Sequence, residues 1–70
     1  MRGGINMNYL KEELKKRHMT QKEFAIRCGL SETAVSGYVN ERYRPRLKTI
    51  YVMSRVLGIE TYEIVKGIYR

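Results

Sequence analysis

Apolar positions along this chain recur at helical spacing, and no stretch alternates in the way a half-buried strand would. Leu10 and Leu14 stand four apart within a charged run and predict a helix over residues 8–17, with Asn8 as its cap. Phe24, Ala25 and Cys28 share one face of a second helix over residues 21–28, and Ala34, Val35, Tyr38 and Val39 share one face of a third. Leu47, Ile50, Met53, Ser54 and Leu57 make a single inward stripe over residues 46–57. Ile64 points inward from a short fifth helix over residues 61–66, which Gly67 is expected to end. Met19 and Ile59 are expected to tuck into the core between these elements. The pattern predicts an all-α, five-helix domain over residues 8–70. Residues 1–7 hold two glycines and no periodicity, and are expected to form a flexible tail.

The boundary signals are densest in the middle of the chain, in QKEFAIRCGLSETAVSGYVN, residues 21–40. Thr20 is placed to cap the second helix, and Glu23 three residues on completes a capping box. Gly29 supplies the left-handed backbone at which a helix stops and turns. Ser31 caps the third helix. Two capped helices joined by so short a connection are the sequence form of a helix-turn-helix. Ala25 is small enough for the two helices to approach, and Val35 is stiff enough to fix their crossing. In the first helix, Glu12 with Lys16 and Glu13 with Arg17 form i, i+4 pairs, each worth a few tenths of a kcal/mol. His18 closes that helix, where positive charge suits the helix dipole.

Charge and chemistry narrow the function. Fourteen Lys and Arg stand against seven acidic residues, all Glu, for a net charge of +7 in 70 residues. Such a balance favours polyanionic partners, the alternative being a plain solvated surface. Cys28 is the only cysteine, so no disulfide is available, and a reducing, cytoplasmic setting is expected. No apolar run reaches membrane-spanning length. The opening MRGGIN has no apolar region, so no secretory signal is expected, and Met7 stands as an alternative start. One Cys and one His do not build a metal site. Gly3-Gly4 lacks the strand and helix of a phosphate loop, and no nucleophile–base set can be assembled. No catalytic residue, cofactor or metal is therefore expected. Cys28 reads as a small hydrophobe at the helix–turn junction rather than a redox group.

The ordered set Thr20, Gln21, Glu23, Ala25, Gly29, Ser31, Val35 and Ser36, continued by Pro45 and Leu57-Gly58-Ile59, resembles the Cro/repressor-like (XRE-like) helix-turn-helix family. The resemblance runs over roughly residues 8–67. It implies a lambda-repressor-like fold and sequence-specific binding of double-stranded DNA, with the third helix in the major groove. The residues that match the family's base-reading positions are Glu32, Thr33, Ser36 and Gly37, and those that match its phosphate contacts include Gln21 and Asn40. Two departures stand out. Ser54 occupies a position that is usually alanine, and Glu41 one that is often glycine. The second departure leaves the end of the third helix to Asn40, which tolerates left-handed geometry.

The residues support this reading on their own terms. Ser31, Glu32, Thr33, Ser36, Gly37 and Asn40 make a small, polar outer face on the third helix. Glu32 is suited to accept from cytosine N4, and Thr33 to meet a thymine methyl. A carboxylate at Glu32 is also favourable simply because it lies in the first helical turn. Gly37 reads either as a tolerated surface glycine or as room for close approach of DNA. Arg42, Arg44, Arg46 and Lys48 follow directly and outweigh Glu41. With Gln21, Ser31 and Asn40 they are the expected phosphate contacts. A regulator with one reading helix needs a second copy to find its site in a genome. Tyr62, Val65, Ile68 and Tyr69 exceed what so short a helix can bury, and are the expected homodimer interface. The expected role is a repressor on an inverted-repeat operator. A protein-interaction module for an acidic partner is the alternative, with RNA binding a third.

Overall fold

The computed structural model describes residues 9–69. Among them are five helices and no strand. These are α1 (Tyr9–Lys16), α2 (Gln21–Cys28), α3 (Glu32–Val39), α4 (Leu47–Leu57) and α5 (Thr61–Ile68). The expected cap Asn8 and the expected tail over residues 1–7 lie outside the described residues. Helix α2 packs on α3 and α4, α1 on α3 and α5, and α4 on α5. The core between them is Leu10, Leu14, Phe24, Ala25, Val35, Val39, Ile50, Met53, Leu57 and Ile64. Met19 and Ile59 are half-buried against it, as are Cys28, Val65 and Ile68.

The first four helices end in one and the same way. A left-handed residue follows each helix, and the next residue donates its N–H back across the last turn. Leu30 N–H reaches the Ala25 carbonyl beyond Gly29, and Ile59 N–H reaches the Ser54 carbonyl beyond Gly58. Met19 N–H reaches the Leu14 carbonyl beyond His18, and Arg42 N–H reaches the Gly37 carbonyl beyond Glu41. These are Schellman closures. Two of the left-handed residues are glycines; the other two are His18 at φ 54 and Glu41 at φ 59. Asn40 is the left-handed residue expected from sequence, but it takes φ −90. The bend falls one residue later because the closing bond from Arg42 to Gly37 requires it there.

One core assignment, one helix end and one ion pair also differ from the sequence reading. Leu47 is 67% exposed and leaves the α4 stripe. It is the first residue of α4, so its side chain leans toward the helix start, past the end of the core. Pro45 is buried instead. Gly67 does not end α5 but lies inside it, where the Tyr9 ring occupies the space a Cβ would need. Lys16 pairs with Glu13 at 3.2 Å rather than with Glu12, so Glu13 takes both Lys16 and Arg17. Ser54 is buried and satisfied: its hydroxyl donates to the Tyr51 carbonyl at 2.6 Å and accepts from Thr61 at 3.1 Å. The serine thereby ties α4 to the first residue of α5.

Candidate nucleic-acid interface

Local chemistry sets the two central helices in place. The Thr20 hydroxyl accepts from Glu23 N–H at 3.0 Å, and the Ser31 hydroxyl accepts from Ala34 N–H at 3.0 Å. Each bond satisfies a backbone donor that a helix start leaves without a partner. Glu23 in turn pairs with Arg27 at 3.0 Å along the exposed side of α2. Gly29 makes the turn, and Phe24, Ala25, Val35 and Val39 are buried below it.

Above that core, Gln21, Glu32, Thr33, Ser36 and Arg42 line one shallow depression of about 310 Å³. The start of α2, the first turn of α3 and the loop beyond α3 thus meet at a single surface. Glu32, Thr33 and Arg42 are exposed there, and Gln21 and Ser36 are half-exposed. Asn40 is exposed one turn beyond, with its amide donating to the Ser36 hydroxyl at 3.2 Å. Ser31 is exposed, with one lone pair engaged in capping and its O–H free to donate.

Gly37 is not where the sequence reading put it. It is buried, and a Cβ at that position would overlap Tyr43 at Cζ, Oη and Cε1. The space that glycine leaves is filled from within the chain. The base-contact assignment of Gly37 is corrected on that ground. The pairing of Gly37 with Tyr43 was missed from sequence. Its one signal was a glycine inside a helix that has no turn to make.

The loop arginines divide between two sides. Arg42 faces the depression. The Arg44 guanidinium lies 5.2 Å from the centre of the Tyr69 ring, over its face. Arg46 is the residue just before α4 and caps it with no side-chain bond. Arg46 and Lys48 are exposed. A second cavity of about 400 Å³ lies behind the loop, between Tyr9, Tyr38, Arg42, Arg44 and Ile68.

The residues expected at a dimer interface are partly engaged within the chain. The Tyr69 hydroxyl donates to the Pro45 carbonyl at 3.0 Å. Val65 and Ile68 are half-buried against the chain's own core, which leaves part of each uncovered. Tyr62 is 68% exposed, with Lys66 Nζ 5.3 Å from its ring centre.

Burial pushes the Cys28 thiol up to about 11, so at neutral pH it is a protonated, weakly reactive group. No cluster of three or more His, Cys, Asp or Glu side chains suited to a metal occurs among the described residues. None of the described helices is long and apolar enough to cross a membrane. No curated protein and no solved structure matches the chain significantly. A helix-turn-helix family model matches residues 10–64, nearly the whole described fold, and the chain belongs to the Cro/repressor-like (XRE) helix-turn-helix family of DNA-binding transcription regulators.

Proposed function

We propose that this chain is a sequence-specific repressor that reads double-stranded DNA with α3 in the major groove. The observation that carries the reading is the shared depression of Gln21, Glu32, Thr33, Ser36 and Arg42. It brings exposed polar groups of α3 and the Arg42 cation to one surface, on a chain of net charge +7, which supports the reading. Glu32, Thr33 and Ser36 meet base edges. Gln21, Ser31, Asn40, Arg42, Arg44, Arg46 and Lys48 hold the flanking phosphates. Two copies pair through the outer side of α5, around Tyr62 and the exposed margins of Val65, Ile68 and Tyr69. The operator is then an inverted repeat with half-sites about one helical turn, ~34–36 Å, apart.

Selection of bound duplexes from a random DNA pool tests this. The expected result is one enriched inverted repeat. A pool that emerges unenriched refutes sequence-specific reading. Sedimentation at micromolar to millimolar protein, with and without the selected duplex, tests the pairing. One copy per site at saturation refutes it.

A further inference from the structure

A glycine inside a helix is disfavoured, because it frees the unfolded backbone and adds nothing to pack. At Gly37 the structure shows what stands in the vacated space. The Tyr43 ring lies where the Cβ would be. The same ring meets Tyr38 edge-on, with centroids 5.1 Å apart and planes at 81°. Its hydroxyl points to the Thr33 carbonyl at 3.4 Å. One side chain from the basic loop thus touches α3 in its first turn, at Thr33, and in its last, at Gly37 and Tyr38.

Its position matters for what lies on either side. Thr33 lines the depression at the start of α3, and Arg42, the neighbour of Tyr43 in the chain, lines it from the loop. The loop has left α3 through the left-handed Glu41, so its path depends on being held. The backbone of Arg42 is tied to α3 through its N–H on the Gly37 carbonyl, and the Tyr43 ring seated on the same glycine holds the loop one residue further on.

We propose that Tyr43 is a positioning residue for base recognition. Seated on Gly37, it holds the basic loop in one register with α3, so that phosphate contact by Arg42 and base contact by Glu32 and Thr33 are made together. This role rests on α3 being the reading helix. Phosphate contacts set orientation, and base contacts discriminate. A loop released from its seat still carries its charge and still attracts DNA, but it no longer aligns α3 on one sequence.

The test uses the full chain, a duplex selected by the wild type and a scrambled duplex of equal length. Gly37→Ala puts a methyl where the ring sits, and the ring is the far end of a side chain that can swing away. Tyr43→Ala removes the ring, which is 47% exposed, and serves if the first variant folds poorly. Tyr43→Phe keeps the ring and loses only a long hydrogen bond. The selected-to-scrambled affinity ratio is expected to fall about tenfold in the two alanine variants, the loss of one good base contact. Affinity for scrambled DNA at low salt should stay within about twofold, because the charge is unchanged. The phenylalanine variant should keep the wild-type ratio. The double variant Gly37→Ala/Tyr43→Ala should be no worse than either single, since both unseat the same ring. A wild-type preference that survives intact in Tyr43→Ala overturns this role and leaves α3 as the reading helix. A wild type with no preference between the duplexes overturns the reading itself, and this role with it.

Discussion

Arg17, just past the end of α1, donates from its guanidinium to the carbonyl of Leu57, the last residue of α4, at 3.1 Å. The same guanidinium hydrogen-bonds the Glu13 carboxylate. Two helix ends that are distant in sequence are joined by one planar cation, whose fork of donors serves both acceptors at once. Glu13 is 8% exposed, so this is a nearly buried carboxylate that depends on its partners.

Arg17→Met keeps the aliphatic stem and removes the cation. It should cost about 1–3 kcal/mol at neutral pH, because Glu13 and the Leu57 carbonyl both lose a charged donor. Burial pushes the Glu13 carboxyl up, but the hydrogen bonds and charges of Arg17 and Lys16 outweigh it and hold the group below its ordinary value of 4.5. The folded state thus binds its proton less readily than the unfolded one. The stabilisation is complete above that ordinary value and is lost as pH falls through the lower folded value. In Arg17→Met the folded value moves up toward the ordinary one, so the loss on acidification should shrink. Urea melts from pH 3 to pH 7 check this, and parallel curves for the two proteins would refute it.

Glu41→Gly should stabilise the chain by about 1 kcal/mol, because a left-handed backbone is strained for any residue with a Cβ. His18→Gly should act in the same direction for the same reason. Gly29→Ala should do the reverse at φ 72, where nothing crowds the Cβ and only the backbone objects. Thermal melts without DNA, with Glu41→Gln as the control for the lost charge, isolate the backbone effect. A Glu41→Gly protein that is no more stable than wild type would place the strain elsewhere.

Arg42→Ala should weaken selected and scrambled duplexes alike and lower the salt slope by about one unit. Glu32→Ala should instead change the preferred base at one or two positions, worth roughly 1–3 kcal/mol per contact. Both residues are exposed, so stability should hardly move. Salt titrations and a repeated selection distinguish the two effects. An unchanged slope in Arg42→Ala would remove that residue from the phosphate contacts.

Cys28 should react slowly with alkylating reagents at pH 7.5 and speed up only as pH approaches about 11. The rate in urea should follow an ordinary thiol, so the ratio of the two rates reports burial. Fast labelling of the folded protein at neutral pH would contradict burial as the cause of the raised thiol.

Much of this fold is legible in the sequence because its signals are local. Thr20 with Glu23, Ser31 with Ala34, and the stops at Gly29 and Gly58 each act within one turn of helix. The apolar stripes then leave few ways to pack. The misreadings share another cause. Gly37 and Gly67 look like surface or terminal glycines until a tyrosine from elsewhere in the chain is laid on them. Leu47 fits the stripe by spacing, but at the first position of a helix there is no preceding turn to cover. Asn40 has the better left-handed propensity, yet the closure to Gly37 selects Glu41. In each case a tertiary partner or the helix end outweighs a local preference, and periodicity alone does not name the partner. The candidate site was legible as a set of residue types on α3 and the loop; that Arg42 joins the α3 depression while Arg44 turns to Tyr69 was not.

The bond from Tyr69 to the Pro45 carbonyl has a mechanical consequence. The far end of α5 is anchored to the basic loop, and Arg44 stacks on that anchor. A contact on the outer side of α5 would therefore bear on the segment that carries the arginines. Pairing of two copies there would stiffen both loops before any duplex arrives, and a duplex gripped by the loops would in turn steady α5 for pairing. If two copies pair there, assembly and DNA affinity become two readings of one linkage, and each strengthens the other by the same factor.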